Sequence, residues 1–347
     1  MPGADHEVLE VRDFPLECGA VLPRARIAFH DSAGATGVGT DAAPVLSCTA
    51  FAQTPADLGW LRAPGGPLDP RRRRVLATEL LGNGRSSSPS NTPPPFAGPD
   101  FPAVTIRDNV ALQARLLDAL GLERVAAVVG ASMGGQQALQ WAVSHPERVG
   151  GAVAVVASAR ATLHAQLFLH GLETALRSDP AFADGRYTAP PRRGLERLSE
   201  AWAPWATSPE FFSGGHHLAF EDTAAADLEG FLAKWRTRYL DRDANDLLCQ
   251  LRCWRAHDVG ATPGCGGDLA GAAARARLPV LFLPSRTDAY FAAADVRADA
   301  ACFPDARVEC IDSVAGHAAG FGRMASDRIT VAEALEAFLA PLAPAVS

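Results

Sequence analysis

The sequence predicts an α/β fold, a mostly parallel central sheet flanked by helices and carrying a helical insertion. Three features of its 347 residues lead there. Segments 125–129 (VAAVV) and 149–157 (VGGAVAVVA) are apolar without polar alternation, the pattern of strands buried on both faces of a helix-covered parallel sheet. Segments of helical period separate such runs, so strand and helix alternate from about residue 105 to 157. From 161 to 277 the alternation stops, and helical stretches bearing Trp202, Trp205, Trp235 and Trp254 take its place before strands return.

Taken in order, residues 8–51 read as short extended runs, among them 26–30 (RIAFH) and 44–48 (PVLSC). The Gly- and Ala-rich stretch 32–43 between those two predicts an antiparallel hairpin entering the sheet. A strand at 74–78 (RVLAT) opens into a long Ser- and Pro-rich loop, 85–102, of the kind that is functional or mobile in compact domains. Thr105-Ile106-Arg107-Asp108 matches a capping box, and Ile106, Val110, Leu116, Leu117 and Leu120 recur at helical spacing until Gly121. A second helix runs from 133 to 144 and is closed by His145-Pro146. Within the insertion, helices are predicted over 166–176, 194–203 and 227–252. Their aromatic residues fit either core packing or the wall of an apolar pocket. Strands return at 278–283 (LPVLFL) and 307–311 (RVECI), and a helix over 326–342 closes the chain. The expected division is a core of 1–160 and 278–347 with a helical cap of 161–277.

Charge narrows the partners. With 32 basic against 39 acidic residues the net charge is −7, which offers no general attraction to nucleic acid or an anionic membrane. The single basic run, Arg71 to Arg74, reads as a solvated strand edge rather than a phosphate patch. No apolar run approaches the ~18 residues of a membrane span. The N-terminal MPGADHEVLEVRD lacks the basic start and apolar stretch of an export signal, so the expected location is the cytoplasm. Seven cysteines without a Cys-x-x-Cys pair fit reduced, buried thiols. His216-His217 with Glu221 and Asp222 match no metal-ligand spacing, so no metal site is expected.

The chemistry concentrates at Gly130-Ala131-Ser132-Met133-Gly134, between an apolar strand and a helix. Strand, Gly-x-Ser-x-Gly, helix is the context of a nucleophile elbow, a turn so tight that the flanking residues must be small. A serine hydroxyl needs a base, and the base needs an orienting carboxylate. Asp288 lies just past the strand ending at Leu283, and His317 just past the one ending near Ile311, so both are delivered to the carboxyl edge of the sheet. The order Ser132, Asp288, His317 is that of α/β-hydrolase sites. Asp305 and Asp312 are the fallback acids, and His257-Asp258, inside the insertion, reads as structural or substrate-facing. The oxyanion hole is expected from the backbone N–H of Met133 and a second N–H from the loop after an early strand, at Ala50 or Phe51.

Further blocks carry a resemblance. Gly98-Pro-Asp-Phe-Pro102, Val104 to Asp108, Gly121-Leu-Glu-Arg124, Gly130 to Ala138 with Trp141-Ala142, Arg242 to Leu248, Trp254 to Asp258, and Ser313 to Phe321 make the chain similar to the homoserine O-acetyltransferase family of α/β-hydrolase enzymes. The resemblance implies that Ser132 is acylated by an ester or thioester and that water or an alcohol then takes the acyl group. Family transferases carry an aspartate directly after the catalytic histidine, which helps to hold an amino-acid acceptor. Here that place is Ala318, so a cationic acceptor loses its counter-charge. The loop 81–91 resembles the hydrolase-like branch. Together these predict a serine hydrolase of a small or medium carboxylic ester. The same site passing an acyl group to a metabolite alcohol is the alternative, and a non-catalytic binding module a third reading. No bound cofactor is expected, acyl-CoA entering only as a co-substrate. The expected partner is a small-molecule ester or acyl donor, with a homodimer left open.

Overall fold

A computed structural model of the protein describes residues 6–34, 43–219 and 225–342. Its strands are β1 (Glu7–Pro15), β2 (Val21–Asp31), β3 (Val45–Cys48), β4 (Val75–Thr78), β5 (Ala127–Ala131), β6 (Ala152–Val155), β7 (Val280–Leu283) and β8 (Ala306–Val308). They form one sheet in the order β1-β2-β4-β3-β5-β6-β7-β8. The pairs β1–β2 and β2–β4 are antiparallel, and every other pair is parallel. All residues of β3 to β7 are buried, which is why their sequences are apolar apart from Ser47 and Thr78. Edge strand β1, by contrast, is mostly exposed.

The helices are α1 (Ile106–Ala119), α2 (Met133–Ser144), α3 (Leu163–Arg177), α4 (Arg192–Ala206), α5 (Pro209–Ser213), α6 (Leu228–Arg236), α7 (Ala244–Arg255), α8 (Leu269–Ala273), α9 (Ala293–Ala300) and α10 (Ala325–Leu339). The capping box of α1 is present: Asp108 N–H donates to Thr105 Oγ1 at 3.1 Å and Thr105 N–H to Asp108 Oδ2 at 2.8 Å. Between β6 and β7 the described chain is helical, with α3 packed on α4 and α7, and α4 on α6. Among the described residues no helix is long and apolar enough to cross a membrane.

Several expectations are corrected. The hairpin is β1–β2, turning at residues 16–20, and β4 sits between β2 and β3. The turn expected at 32–43 lies partly outside the described residues and joins strands that do not pair. The helix expected over 227–252 breaks after Arg236, because Asp243 caps a new helix by accepting from Asn245 N–H at 2.9 Å and Asp246 N–H at 3.1 Å. The last strand ends at Val308, although a bridge from Ser285 to Ile311 continues its line. Helix α9 was not anticipated. The basic run is ion-paired, and only its start is solvated: Arg71 and Arg72 are exposed while binding Asp69 and Glu336 of α10, Arg73 also reaches Glu336, and Arg74 is buried on Asp31 at 2.6 Å. All seven cysteines are free, but Cys18 is exposed and only Cys48 and Cys253 are fully buried. The loop after β4 is pinned, since Ser86 Oγ and Ser87 Oγ accept from Ala28 N–H and Arg26 N–H of β2, and Ser90 binds Asp246 of α7.

Candidate active site

Ser132 stands between β5 and α2 with φ 55° and ψ −126°, a strained conformation for a residue with a side chain. The glycines around it are required by contact. A Cβ on Gly130 would lie 2.2 Å from the Gly134 carbonyl carbon, and one on Gly134 would lie 2.3 Å from the Cys48 carbonyl oxygen. The elbow and the end of β3 therefore touch backbone to backbone. The turn is also held from the side, by Ser132 N–H donating to Val155 O of β6 at 2.9 Å.

Asp288 and His317 come together as the chain order predicts. His317 Nδ1 donates to Asp288 Oδ2 at 2.7 Å, while Asp288 Oδ1 accepts from Tyr290 N–H and Phe291 N–H, each at 3.1 Å. Both carboxylate oxygens are thus occupied, and the side chain is fully buried. Because Nδ1 carries the proton to Asp288, neutral His317 presents Nε2 as an acceptor. The imidazole is clamped by rings, with Tyr290 4.3 Å, Phe291 5.4 Å and Phe321 5.5 Å from it between centres. Gly316, at φ 63°, lets the chain pass so close to Thr207 that a Cβ would lie 2.5 Å from its carbonyl carbon.

Ser132 and His317 line one cavity with a volume of about 60 Å³. Ala50 and Phe51 line it too, and the backbone N–H groups of Ala50, Phe51 and Met133 have no hydrogen-bond partner among the described residues. The next N–H along, of Ala52, is taken by Gln250 Oε1 at 2.8 Å, and Gln250 Nε2 donates to Gly82 O. The loop after β3 is therefore fixed just beyond its free donors. The Ser132 hydroxyl has no hydrogen-bond partner among the described residues.

The remaining candidates lie elsewhere. Asp312 is exposed and bound to Arg286 at 2.7 Å, and Asp305 contributes only its carbonyl, to Val280 N–H. His257 is buried away from the cavity. His217 packs on Phe212 and Phe231, while Glu221 and Asp222 lie outside the described residues. Among the described residues no group of three His, Cys, Asp or Glu side chains is placed to hold a metal ion. Trp202 and Trp235 line the cavity, whereas Trp254 is core. Ala318 lines it as well and puts a methyl group into the wall.

Sequence reasoning missed a buried amide network behind the elbow. Gln137 of α2 donates from Nε2 to Thr49 O at 2.9 Å and to Met133 O at 3.1 Å, and accepts from Gln113 Nε2 at 2.7 Å. Gln113 in turn accepts from Trp141 Nε1 at 2.7 Å and donates to Thr78 Oγ1 at 3.0 Å. The one signal in the sequence was glutamine at positions a helical repeat would bury.

Comparison with known proteins agrees with this architecture. A family model described as the alpha/beta hydrolase fold matches residues 55–321. The chain is 34% identical over 344 residues to an ethyl acetate hydrolase of Pseudomonas veronii, covering 97% of this chain and 95% of that one. It is 33% identical over 278 residues to a homoserine O-succinyltransferase of Alkalilimnicola ehrlichii, covering 71% and 72%. Among solved structures, the acetyl esterase MekB superposes with a TM-score of 0.89 at 32% identity over 97% of both chains. The chain belongs to the alpha/beta hydrolase fold family, as an enzyme of the group that joins small-ester hydrolases to homoserine acyltransferases.

Proposed function

We propose that this enzyme hydrolyses carboxylic esters of short acyl groups through an acyl-serine intermediate. The observation that carries the reading is the meeting of a strained, cavity-facing Ser132 with an imidazole held by a buried, fully bonded Asp288. Ser132 Oγ attacks the ester carbonyl carbon as its proton passes to His317 Nε2. The carbonyl oxygen, now negative, takes hydrogen bonds from Met133 N–H and from Ala50 or Phe51 N–H. The carbon–oxygen bond to the alcohol then breaks, His317 returns the proton to the leaving oxygen, and the acyl group stays on Ser132. Water repeats the sequence in reverse and frees the acid. Asp288 keeps His317 in the useful tautomer and stabilises its charged form.

Size supports a short acyl group. A cavity of about 60 Å³ holds roughly four to six waters. An acetyl or propionyl group fits such a space. The ethyl acetate hydrolase and acetyl esterase among its relatives are in line with this. Residues 161–277 act in this reading as a cap that supplies Trp202 and Trp235 to the cavity. The alternative, transfer to a metabolite alcohol from acyl-CoA as co-substrate, is favoured by the homoserine O-succinyltransferase relative and uses the same steps with an alcohol in place of water.

The test is a series of acetyl, butyryl and octanoyl esters with wild-type enzyme and Ser132→Ala. Activity is expected to fall steeply with acyl length in the wild type and by at least ~10³-fold in the variant. Mass spectrometry is expected to find a phosphonate probe on Ser132. Full activity of the variant overturns the assignment, and product ratios with added alcohols decide between water and alcohol as acceptor.

A further inference from the structure

Among the described residues, the cavity wall carries arginine side chains and no carboxylate. Its described lining residues include Arg238 and Arg323, and the carboxylate of the site, Asp288, sits buried behind His317. Arg238 lies just after α6, in a single helical turn at Thr237–Tyr239. Its neighbours in sequence are neutralised: Arg236 binds Glu200 and Glu229, and Arg242 approaches Asp241. Arg238 has no such partner among the described residues. Instead its guanidinium carbon stands 4.8 Å from the centre of the Trp235 ring, itself part of the wall. Its charge also favours ionisation of the Tyr239 and Tyr290 phenols, against the burial that pushes both upward. The guanidinium thus stands over an aromatic ring among the cavity's own side chains while Arg238 stays exposed. A stacked guanidinium keeps a planar fork of donors suited to a carboxylate or phosphate.

We propose that Arg238 recognises an anionic group, a carboxylate or a phosphate, carried on the alcohol side of the ester that Ser132 attacks. This rests on the proposed esterase function and adds the substrate's charge to it. With a short acyl group on Ser132, the alcohol portion passes along the cavity wall, where exposed Arg238 stands. With a net charge of −7, the protein as a whole repels anions, so capture of an acidic ester depends on local cations. Ala318 acts in the same direction, since a methyl group at that place in the wall does not oppose an anion.

The experiment compares kcat/KM for O-acetylglycolate and for 2-acetoxyethyl phosphate with that for neutral 2-methoxyethyl acetate, each divided by the ester's own rate with hydroxide. The two anionic arms separate carboxylate from phosphate. Wild-type enzyme is expected to favour at least one anionic ester by tenfold or more at low ionic strength, and by less in 0.5 M salt. Arg238→Gln is expected to lower kcat/KM for that ester at least tenfold more than for the neutral one, and Arg238→Lys to restore part of the difference. A wild-type ratio near one overturns the proposal, as does an equal loss on both esters in Arg238→Gln, which marks a packing role on Trp235. A preference found only when the anion is on the acyl side, as in monoethyl succinate, also overturns it. Failure of the esterase reading is distinguishable: no ester is then cleaved and the phosphonate probe leaves Ser132 unlabelled.

Discussion

Asp288 is a carboxylate with every lone-pair direction that matters already assigned, two backbone N–H groups on one oxygen and His317 on the other. Asp288→Asn keeps the shape and reverses one bond. With Oδ1 still accepting from the backbone, an NH2 group faces His317 Nδ1, which must then become the acceptor and leave the proton on Nε2. An Nε2–H cannot take the proton of Ser132, so kcat is expected to fall by ~10³–10⁴-fold with little change in KM. A loss below tenfold in steady-state assays refutes the pairing as a catalytic one. This pair was legible in the sequence because each residue follows an apolar strand, and strand ends are where a parallel sheet delivers side chains. The second oxyanion donor was not legible, since among the described residues neither the Ala50 nor the Phe51 N–H on the cavity has a partner. Arg238 was invisible for another reason: in sequence it is one arginine among Arg236, Arg238 and Arg242, and only ion pairing separates them.

At the scale of elements, the elbow works only if α2 and the loop after β3 hold a fixed spacing, and Gln137 is the tie between them. Its Nε2 reaches Thr49 O, one residue before Ala50, and Met133 O within α2. Gln137→Leu leaves Thr49 O and Gln113 Nε2 short of a buried partner, at a cost of about 1–3 kcal/mol each. Denaturant unfolding is therefore expected to show a loss of about 2–6 kcal/mol, and kcat is expected to drop more than tenfold as the oxyanion donors drift. Loss of stability with kcat unchanged means that the network supports the fold and does not position the site. The sequence revealed α2 and its flanking strands well, because full burial leaves continuous apolar runs. It misplaced the hairpin because the pairing of β2 with β4 depends on contacts made 45 or more residues apart, which no local pattern records. The break between α6 and α7 was signalled by Asp243 ahead of Ala244-Asn245-Asp246, but the apolar period on either side masked it.

The whole molecule is stitched where the helical segment leaves the sheet and comes back. Ala161 N–H donates to His257 O, Val259 N–H donates to Ala159 O, and Arg160 bridges Asp258, so the two ends of that segment run against each other. His257 is sealed in this seam, 4% exposed, with neither ring nitrogen hydrogen-bonded among the described residues. Burial pushes its imidazole down to about 3, with the Arg107 charge adding to the effect. The sign follows from which state binds the proton. Above pH 6.5 the ring is neutral in folded and unfolded chains alike and the linkage is silent. As the pH falls below 6.5 the unfolded chain takes up a proton that the folded chain refuses, so stability is lost until about pH 3, where both are charged. Between pH 7.5 and 5 this one group is expected to remove about 2 kcal/mol. His257→Leu abolishes that component, so urea unfolding of the variant is expected to lose about 2 kcal/mol less than wild type over the same range, whatever its stability at neutral pH. Parallel pH profiles for the two proteins show that the seam opens to water before the chain unfolds, and that His257 titrates there as an exposed histidine.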